Sequence, residues 1–294
     1  CDRRQRQMCI RDSFRTPLTL IADPVDQLQQ SAHLDEHEHF LLNIIHKNVA
    51  VLLRLVNQIL DFRKFEDGKL QLRLSRFDLR LSLMEWAEAF RTLSFRKHIH
   101  FQIDADSNTD LMVTADAEKL ERIIYNLLSN SFKFTPENGR IHIVLSSFQK
   151  DGESFIRLQV TNTGVGMPAE HVQHIFDSFY QIDVHHAGSG IGLALVKAFV
   201  EMHHGTISVN TTEGQGTCFT IEMPACQSGS LDPDTSRNPA LTNLKEGAVL
   251  AADQETLQAV AVGTPPEGKE TILVIDDNQD IRDYVRSILQ EKYN

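Results

Sequence analysis

Glu121–Thr135 reads Glu-Arg-Ile-Ile-Tyr-Asn126-Leu-Leu-Ser-Asn130-Ser-Phe-Lys133-Phe134-Thr, and the fold of the chain turns on this stretch. Asn126, Asn130 and Lys133 are spaced by four and three residues, so on a helix they share one face. A face offering amide oxygens beside an ammonium suits a divalent cation and a polyphosphate together. The hard cation takes oxygen ligands, and the lysine offsets phosphate charge. Asn and Lys on a helix are by themselves most often a solvated face, so the reading depends on what accompanies them.

Three glycine-bearing elements follow. Asn162-Thr-Gly164-Val-Gly166 comes after a predicted strand, where glycines let the backbone approach a planar ligand. Gly188-Ser-Gly190-Ile-Gly192-Leu193-Ala-Leu opens an apolar helix whose first amides face an anion. Glu213-Gly214-Gln-Gly216-Thr217 precedes the last strand of the region, a turn as readily structural as functional. A single Gly-x-Gly is weak. The order of all the elements together is far more specific.

That order resembles the N, G1, G2 and G3 boxes of the histidine-kinase branch of the GHKL ATPases, with Ile175-Phe-Asp-Ser-Phe-Tyr-Gln181 as the F box. The resemblance covers Phe14–Pro224. It implies an α+β chain whose centre is a two-layer sandwich of helices on a mixed sheet, the Bergerat fold. ATP and Mg²⁺ would lie between the N-box helix and a lid spanning about Pro168–Ala187. By the same resemblance Asn130 ligates Mg²⁺, Lys133 and Asn126 contact phosphates or metal-bound water, and Phe134 flanks the nucleotide. Gly164, Gly166, Gly188, Gly190, Gly192, Leu193 and Thr217 complete the nucleotide cradle.

Two positions carry information of their own. The family has Asp at 162, where a carboxylate accepts from the adenine amino group; Asn can still accept, without charge assistance and with an added donor. Adenine recognition is expected to be retained but weakened. Water-hydrolysing branches such as gyrase carry Glu at the position of Asn126 as a general base. An amide cannot take a proton, so the terminal phosphoryl group is expected to go to a protein nucleophile, by positioning and charge neutralisation.

The nucleophile belongs near Phe14–Leu20, Phe-Arg-Thr16-Pro17-Leu-Thr-Leu. This segment resembles the trailing half of the H box, His-(Glu/Asp)-x-x-(Thr/Asn)-Pro. Thr16, which in the family orients water for dephosphorylation of the partner, and Pro17 both fit. Asp12 stands at the phosphoacceptor histidine and Ser13 at its acidic neighbour. Just upstream, Arg3–Asp12 resembles the translation of a transposase adapter used in sequencing libraries. Residues 1–13 are therefore read as an artefact outside the fold. If the join is direct, Ser13 requires a native base that fits Asp and not Glu, so the natural chain is expected to read His-Asp-Phe-Arg-Thr-Pro. A natural pseudokinase that uses ATP to set dimer geometry is the alternative, and a water-hydrolysing ATPase is disfavoured by Asn126. His33, His37, His39, His46, His185 and His186 lack the Thr-Pro context and are read as generic histidines.

Around this core, residues 14–76 read as a helical hairpin, with helices from Phe14 to about Gln30 and from Glu36 to about Phe65. Each buries one apolar stripe, and pairing into a dimeric four-helix bundle covers what a lone hairpin leaves exposed. Residues 77–224 hold the ATP-binding domain. Its helices are predicted at Leu79–Thr92, Ala117–Phe132 and Gly190–His204, and its strands at His98–Ile103, Arg140–Ser147, Phe155–Thr161, Thr206–Thr211 and Thr217–Glu222. Residues 225–269 have the composition of a flexible linker.

Residues 270–294 begin with a strand, Thr271–Ile275, ending in Asp276 and Asp277, and continue as a helix, Gln279–Gln290. They resemble the opening of a response-regulator receiver, whose acidic pair binds Mg²⁺. The family implies a homodimer that passes its phosphoryl group to a receiver in cis or to a separate response regulator. It also implies the cytoplasmic portion of a bacterial inner-membrane sensor, reaching the membrane only through an upstream segment.

Composition agrees. With 294 residues, 41% hydrophobic and 23% charged, the chain has material for more than one ordinary soluble domain. A net charge of -11 argues against a nucleic-acid surface. Cys1, Cys9, Cys218 and Cys226 show neither metal-type spacing nor a disulfide framework. The best apolar run, Val49–Val56, is broken by Arg54 and falls short of the roughly 20 residues a bilayer needs.

Overall fold

The computed structural model describes residues 36–106, 111–182 and 190–226, together with residues 21, 28, 272–274, 282, 285, 286 and 289. The chain divides into two compact units, residues 1–56 with 253–294 and residues 57–252.

Helix α1 (Glu36–Glu66), whose residues up to Val56 belong to the first unit, begins where the sequence places the second helix of the hairpin. The first helix lies outside the described residues except for Ile21 and Leu28, which are helical. Along α1, Ile45, Leu52 and Ile59 recur every seven residues and stay 41%, 48% and 43% exposed, while Val49 is buried. In residues 270–294, Arg282, Val285, Arg286 and Leu289 are helical, as expected, but residues 272–274 take no regular structure. The predicted strand is corrected there: a strand needs a hydrogen-bonded neighbour, and Leu273 is 80% exposed.

In the second unit, the order after α1 is β1 (Ser75–Asp78), α2 (Leu79–Glu88), α3 (Arg91–Arg96), β2 (His100–Ala105), β3 (Met112–Ala115), α4 (Ala117–Phe134), β4 (Arg140–Lys150), β5 (Glu153–Asn162), α5 (Ala169–Val172), α6 (Gly192–Met202), β6 (Thr206–Thr212) and β7 (Gly216–Pro224). Five strands form one sheet in the order β2-β4-β5-β7-β6. β2 and β4 run parallel and the other pairs antiparallel. A short antiparallel pair, β1 with β3, stands apart.

Period-two alternation in the strands makes this a two-layer sandwich. Ile141, Ile143 and Leu145 of β4, Ile156, Leu158 and Val160 of β5, and Phe219, Ile221 and Met223 of β7 are buried in one core with Leu83, Leu120, Leu127, Val196 and Phe199 of the helices. The intervening strand residues, such as His142, Arg157 and Gln159, remain half-buried on the opposite face. On that face Arg157 pairs with Glu222 at 2.6 Å and lies over the Phe148 ring.

Caps fix the helices. Asp78 accepts from Arg80 N and Leu81 N to start α2, and Asp116 accepts from Lys119 N to start α4. The other Asp116 oxygen accepts from Arg73 N at 2.8 Å. The single helix predicted over Leu79–Thr92 is two, α2 and α3. Phe90 breaks it because its side chain, 0% exposed, stacks on Phe132 and packs against Tyr125, both with centroids 5.4 Å away.

Candidate nucleotide site

α4 carries Asn126, Asn130 and Lys133 on one half-buried face, as their spacing requires, and runs to Phe134, two residues beyond its predicted end. Its opposite face is buried through Ile124, Leu127, Leu128 and Phe132. Tyr125, next to Asn126 but turned inward, has its hydroxyl pKa pushed up by burial and then by the Glu121 charge. Asn126 is oriented by its own helix: Nδ2 donates to the Arg122 carbonyl at 2.8 Å, which leaves Oδ1 facing away from α4. Lys133 Nζ lies over the Phe134 ring, 5.1 Å from its centroid, and Phe134 is 39% exposed.

Facing this stripe is the start of α6. A Cβ on Gly192 would come within 2.8 Å of Asn126 Oδ1, so the two helices meet closely there and a larger residue fits only if the Asn126 side chain turns aside. Ile191 at the N-cap is apolar and supplies no side-chain cap to the first amides of α6. α6 begins at Gly192 and not at Gly190 as predicted, because Gly190 has a φ of +66°, outside a right-handed helix. Leu193 is half-buried against the core.

The strand end forms the third wall. Asn162 is 5% exposed at the last position of β5, in register with Thr217 of β7. Its amide, oriented so that both ends are satisfied, donates from Nδ2 to the Thr217 carbonyl at 3.1 Å and accepts from Gly164 N at 3.0 Å. One N–H and one lone pair remain for a ligand. An Asp here would set an oxygen against the Thr217 carbonyl, so Asn suits this neighbourhood. A Cβ on Gly164 would fall 2.3 Å from the Phe134 carbonyl, which holds the loop against the end of α4. The loop holding Gly166 is tied to the last turn by Gly214 N donating to the Val165 carbonyl at 2.7 Å. Thr217 is buried, its hydroxyl 2.9 Å from that of Thr211.

The structure thus sets Phe134 at the end of α4 against Gly164 beyond β5 and Asn162, and sets Asn126 against Gly192 at the start of α6, while Asn130 and Lys133 share the α4 face with Asn126; Gly166 packs on the turn after β6, Gly190 on Phe179 and Leu193 on the core. Thr217 backs the β5 end. Asp12, Ser13, Thr16, Pro17, Gly188, Asp276 and Asp277 lie outside the described residues. Among the described residues no group of three or more His, Cys, Asp or Glu is arranged to hold a metal ion, and no helix is long and apolar enough to cross a membrane.

Two contacts at this site escaped the sequence reading. Asp61 of α1 pairs with Arg122, one turn before Asn126. Its neighbour Phe62 meets Phe179 edge-on, with ring centroids 6.5 Å apart. The one available signal was Arg122 four residues before Asn126, on the same face.

Residues 115–227 match the family described as histidine kinase-, DNA gyrase B-, and HSP90-like ATPase. The chain is 35% identical, over 72% of its length, to hybrid signal transduction histidine kinase D of Dictyostelium discoideum, of which it covers 14%. It is 31% identical, over 95% of its length, to sensor histidine kinase TmoS of Ectopseudomonas mendocina, of which it covers 29%. Among solved structures, full-length ShkA in complex with AMPPNP matches with a TM-score of 0.66 at 27% identity, over 77% of this chain and 47% of that one. The chain therefore spans less than half the length of each of these relatives.

Proposed function

We propose that this chain, whose residues 115–227 form an ATPase domain of the histidine kinase-, gyrase B- and HSP90-like family, is the core of a hybrid sensor histidine kinase in a two-component phosphorelay. ATP with Mg²⁺ would sit between α4 and the start of α6. Asn130 would hold the metal, Asn126 would contact the phosphates or metal-bound water, and Lys133 and the α6 amides would hold the phosphates. Phe134 and Asn162 would take the base. The bound metal supplies charge neutralisation at the phosphates. The chain's own residues orient the nucleotide and present its terminal phosphate.

The observation that carries this reading is the apposition of Asn126 and Gly192. At Gly192, where a Cβ would stand 2.8 Å from Asn126 Oδ1, the start of α6, with no side-chain cap, comes up against the α4 face that also carries Asn130 and Lys133. These groups fit a metal-bound polyphosphate. An amide at 126 has no basicity to activate water, so the phosphoryl acceptor is a histidine at position 12, replaced here by Asp12. The product phosphohistidine would then pass its phosphoryl group to an Asp of a receiver that Asp276 and Asp277 begin.

The stripe of Ile45, Leu52 and Ile59 on α1 supports a homodimer. The similarity to sensor kinases supports the cytoplasmic part of a membrane-bound sensor, with no nucleic acid in its own contacts. Asp12 itself favours the second reading, an ATP-binding pseudokinase; a clean copy of the gene with Asp at codon 12 would establish it. The direct test is titration of the chain with a fluorescent ATP analogue in Mg²⁺ alongside an assay for released phosphate. Saturable binding without steady phosphate release is expected. Steady release would support a water-hydrolysing ATPase instead.

A further inference from the structure

Asp61 and Phe62 are consecutive residues near the end of α1, and they grip two different walls of the nucleotide site. Asp61 is 9% exposed and receives a hydrogen bond from Arg122 on α4. Arg122 also donates to Glu118 Oε1 at 2.8 Å, while its Nε is buried with no hydrogen-bond partner among the described residues. Phe62 packs edge-on against Phe179, whose backbone N donates to the Gly190 carbonyl at 2.9 Å at the root of the segment before α6. A single point on α1 therefore touches the phosphate-facing helix directly and, through Phe179, the residues that lead into the anion-facing one.

We propose that the Asp61–Arg122 pair is an ATP-responsive latch, in which Arg122 leaves Asp61 for the terminal phosphate of ATP and so frees the end of α1. The proposal rests on the nucleotide reading of the α4 face. Arg122 lies one turn before Asn126, a separation of about 5.4 Å along the helix that an arginine side chain spans. Its present bonds underuse it. A guanidinium offers a planar fork of donors suited to bidentate binding of an oxyanion, yet here the fork is split between two carboxylates and Nε is unspent.

Release is also inexpensive. Breaking a buried ion pair is costly when one charge is left uncompensated, but Asp61 keeps Lys64, whose Nζ is 3.4 Å from its other oxygen. Glu118, 45% exposed, is solvated on its own. ADP lacks the terminal phosphate and would leave the latch shut. By linkage, whatever displaces α1 would in turn strengthen ATP binding by the same factor.

The test is calorimetric titration of the full chain with MgATP and with MgADP, for the wild type, Asp61→Asn and Arg122→Gln. Asp61→Asn is expected to tighten MgATP about tenfold, the scale of one charge-assisted hydrogen bond, with MgADP unchanged. Arg122→Gln is expected to weaken MgATP by a similar factor and again spare MgADP, which also reports an intact fold. Should Asp61→Asn not fold, Arg122→Lys, which keeps the charge and loses the fork, is expected to narrow the ATP/ADP ratio. An ATP/ADP ratio equal in wild type and variants overturns the latch alone. A wild-type chain that binds neither nucleotide overturns the site reading and the latch with it.

Discussion

The imidazole of His203, 0% exposed, accepts the Asp116 backbone N–H at Nε2 (3.0 Å) and donates from Nδ1 to the Phe199 carbonyl (2.7 Å). It thereby fastens the end of α6 to the cap of α4, the two helices that frame the proposed nucleotide site. Both nitrogens are spent in the neutral form, and a proton on Nε2 would face a donor.

Burial, more than any other influence, lowers the His203 pKa below the ordinary 6.5; Lys119 and His204 act in the same direction, against the Phe199 carbonyl and Asp116. Because the folded state holds the proton less tightly than the unfolded chain, the sign is fixed: stability is independent of this group above about pH 6.5. It falls as pH drops below that value, until the folded pKa is passed. Urea midpoints between pH 7.5 and 5.5 are expected to decline for the wild type. His203→Gln should flatten this part of the slope, and an undiminished slope in that variant would assign the loss to other groups.

Asn162→Ala removes the donor that satisfies the buried Thr217 carbonyl and the acceptor for Gly164 N. An unsatisfied buried group costs about 1–3 kcal/mol, so the urea midpoint should fall. MgATP affinity should fall as well, since the base loses its partner. An unchanged affinity in the folded variant would remove Asn162 from the nucleotide site.

Gly164 and Gly192 separate the frame from the ligand. At Gly164 an added methyl meets the Phe134 carbonyl at 2.3 Å, which is backbone and cannot move alone. Gly164→Ala should cost about 1–3 kcal/mol of stability, as overpacking does. At Gly192 the clash is with the Asn126 side-chain oxygen, which can turn aside. Gly192→Ala should keep the fold and weaken MgATP about tenfold, the equivalent of one polar contact. Thermal melts with paired titrations check both, and reversed effects would contradict the assigned geometry.

Much of this site could be read from the chain because helical spacing encodes a face. Asn126, Asn130 and Lys133 share one whatever packs against them, and glycine clusters mark where backbone must approach closely. The strands of the main sheet were legible for the same reason, since β4, β5 and β7 alternate cleanly. The break at Phe90 was not, because it follows from stacking on Phe132, a partner distant in sequence. β1 and β3 are four residues each, too short for a period to register. The Asp61–Arg122 pair is separated by 61 residues and carries no local signature at either end.

The central claim is that the nucleotide site serves a histidine whose position Asp12 now occupies. Incubation of the chain with γ-labelled ATP and Mg²⁺, beside the Asp12→His variant, tests it most directly. The account predicts no label on the wild type and acid-labile, alkali-stable label on Asp12→His. Label on the wild type, or a variant that binds MgATP yet stays unlabelled, would contradict it.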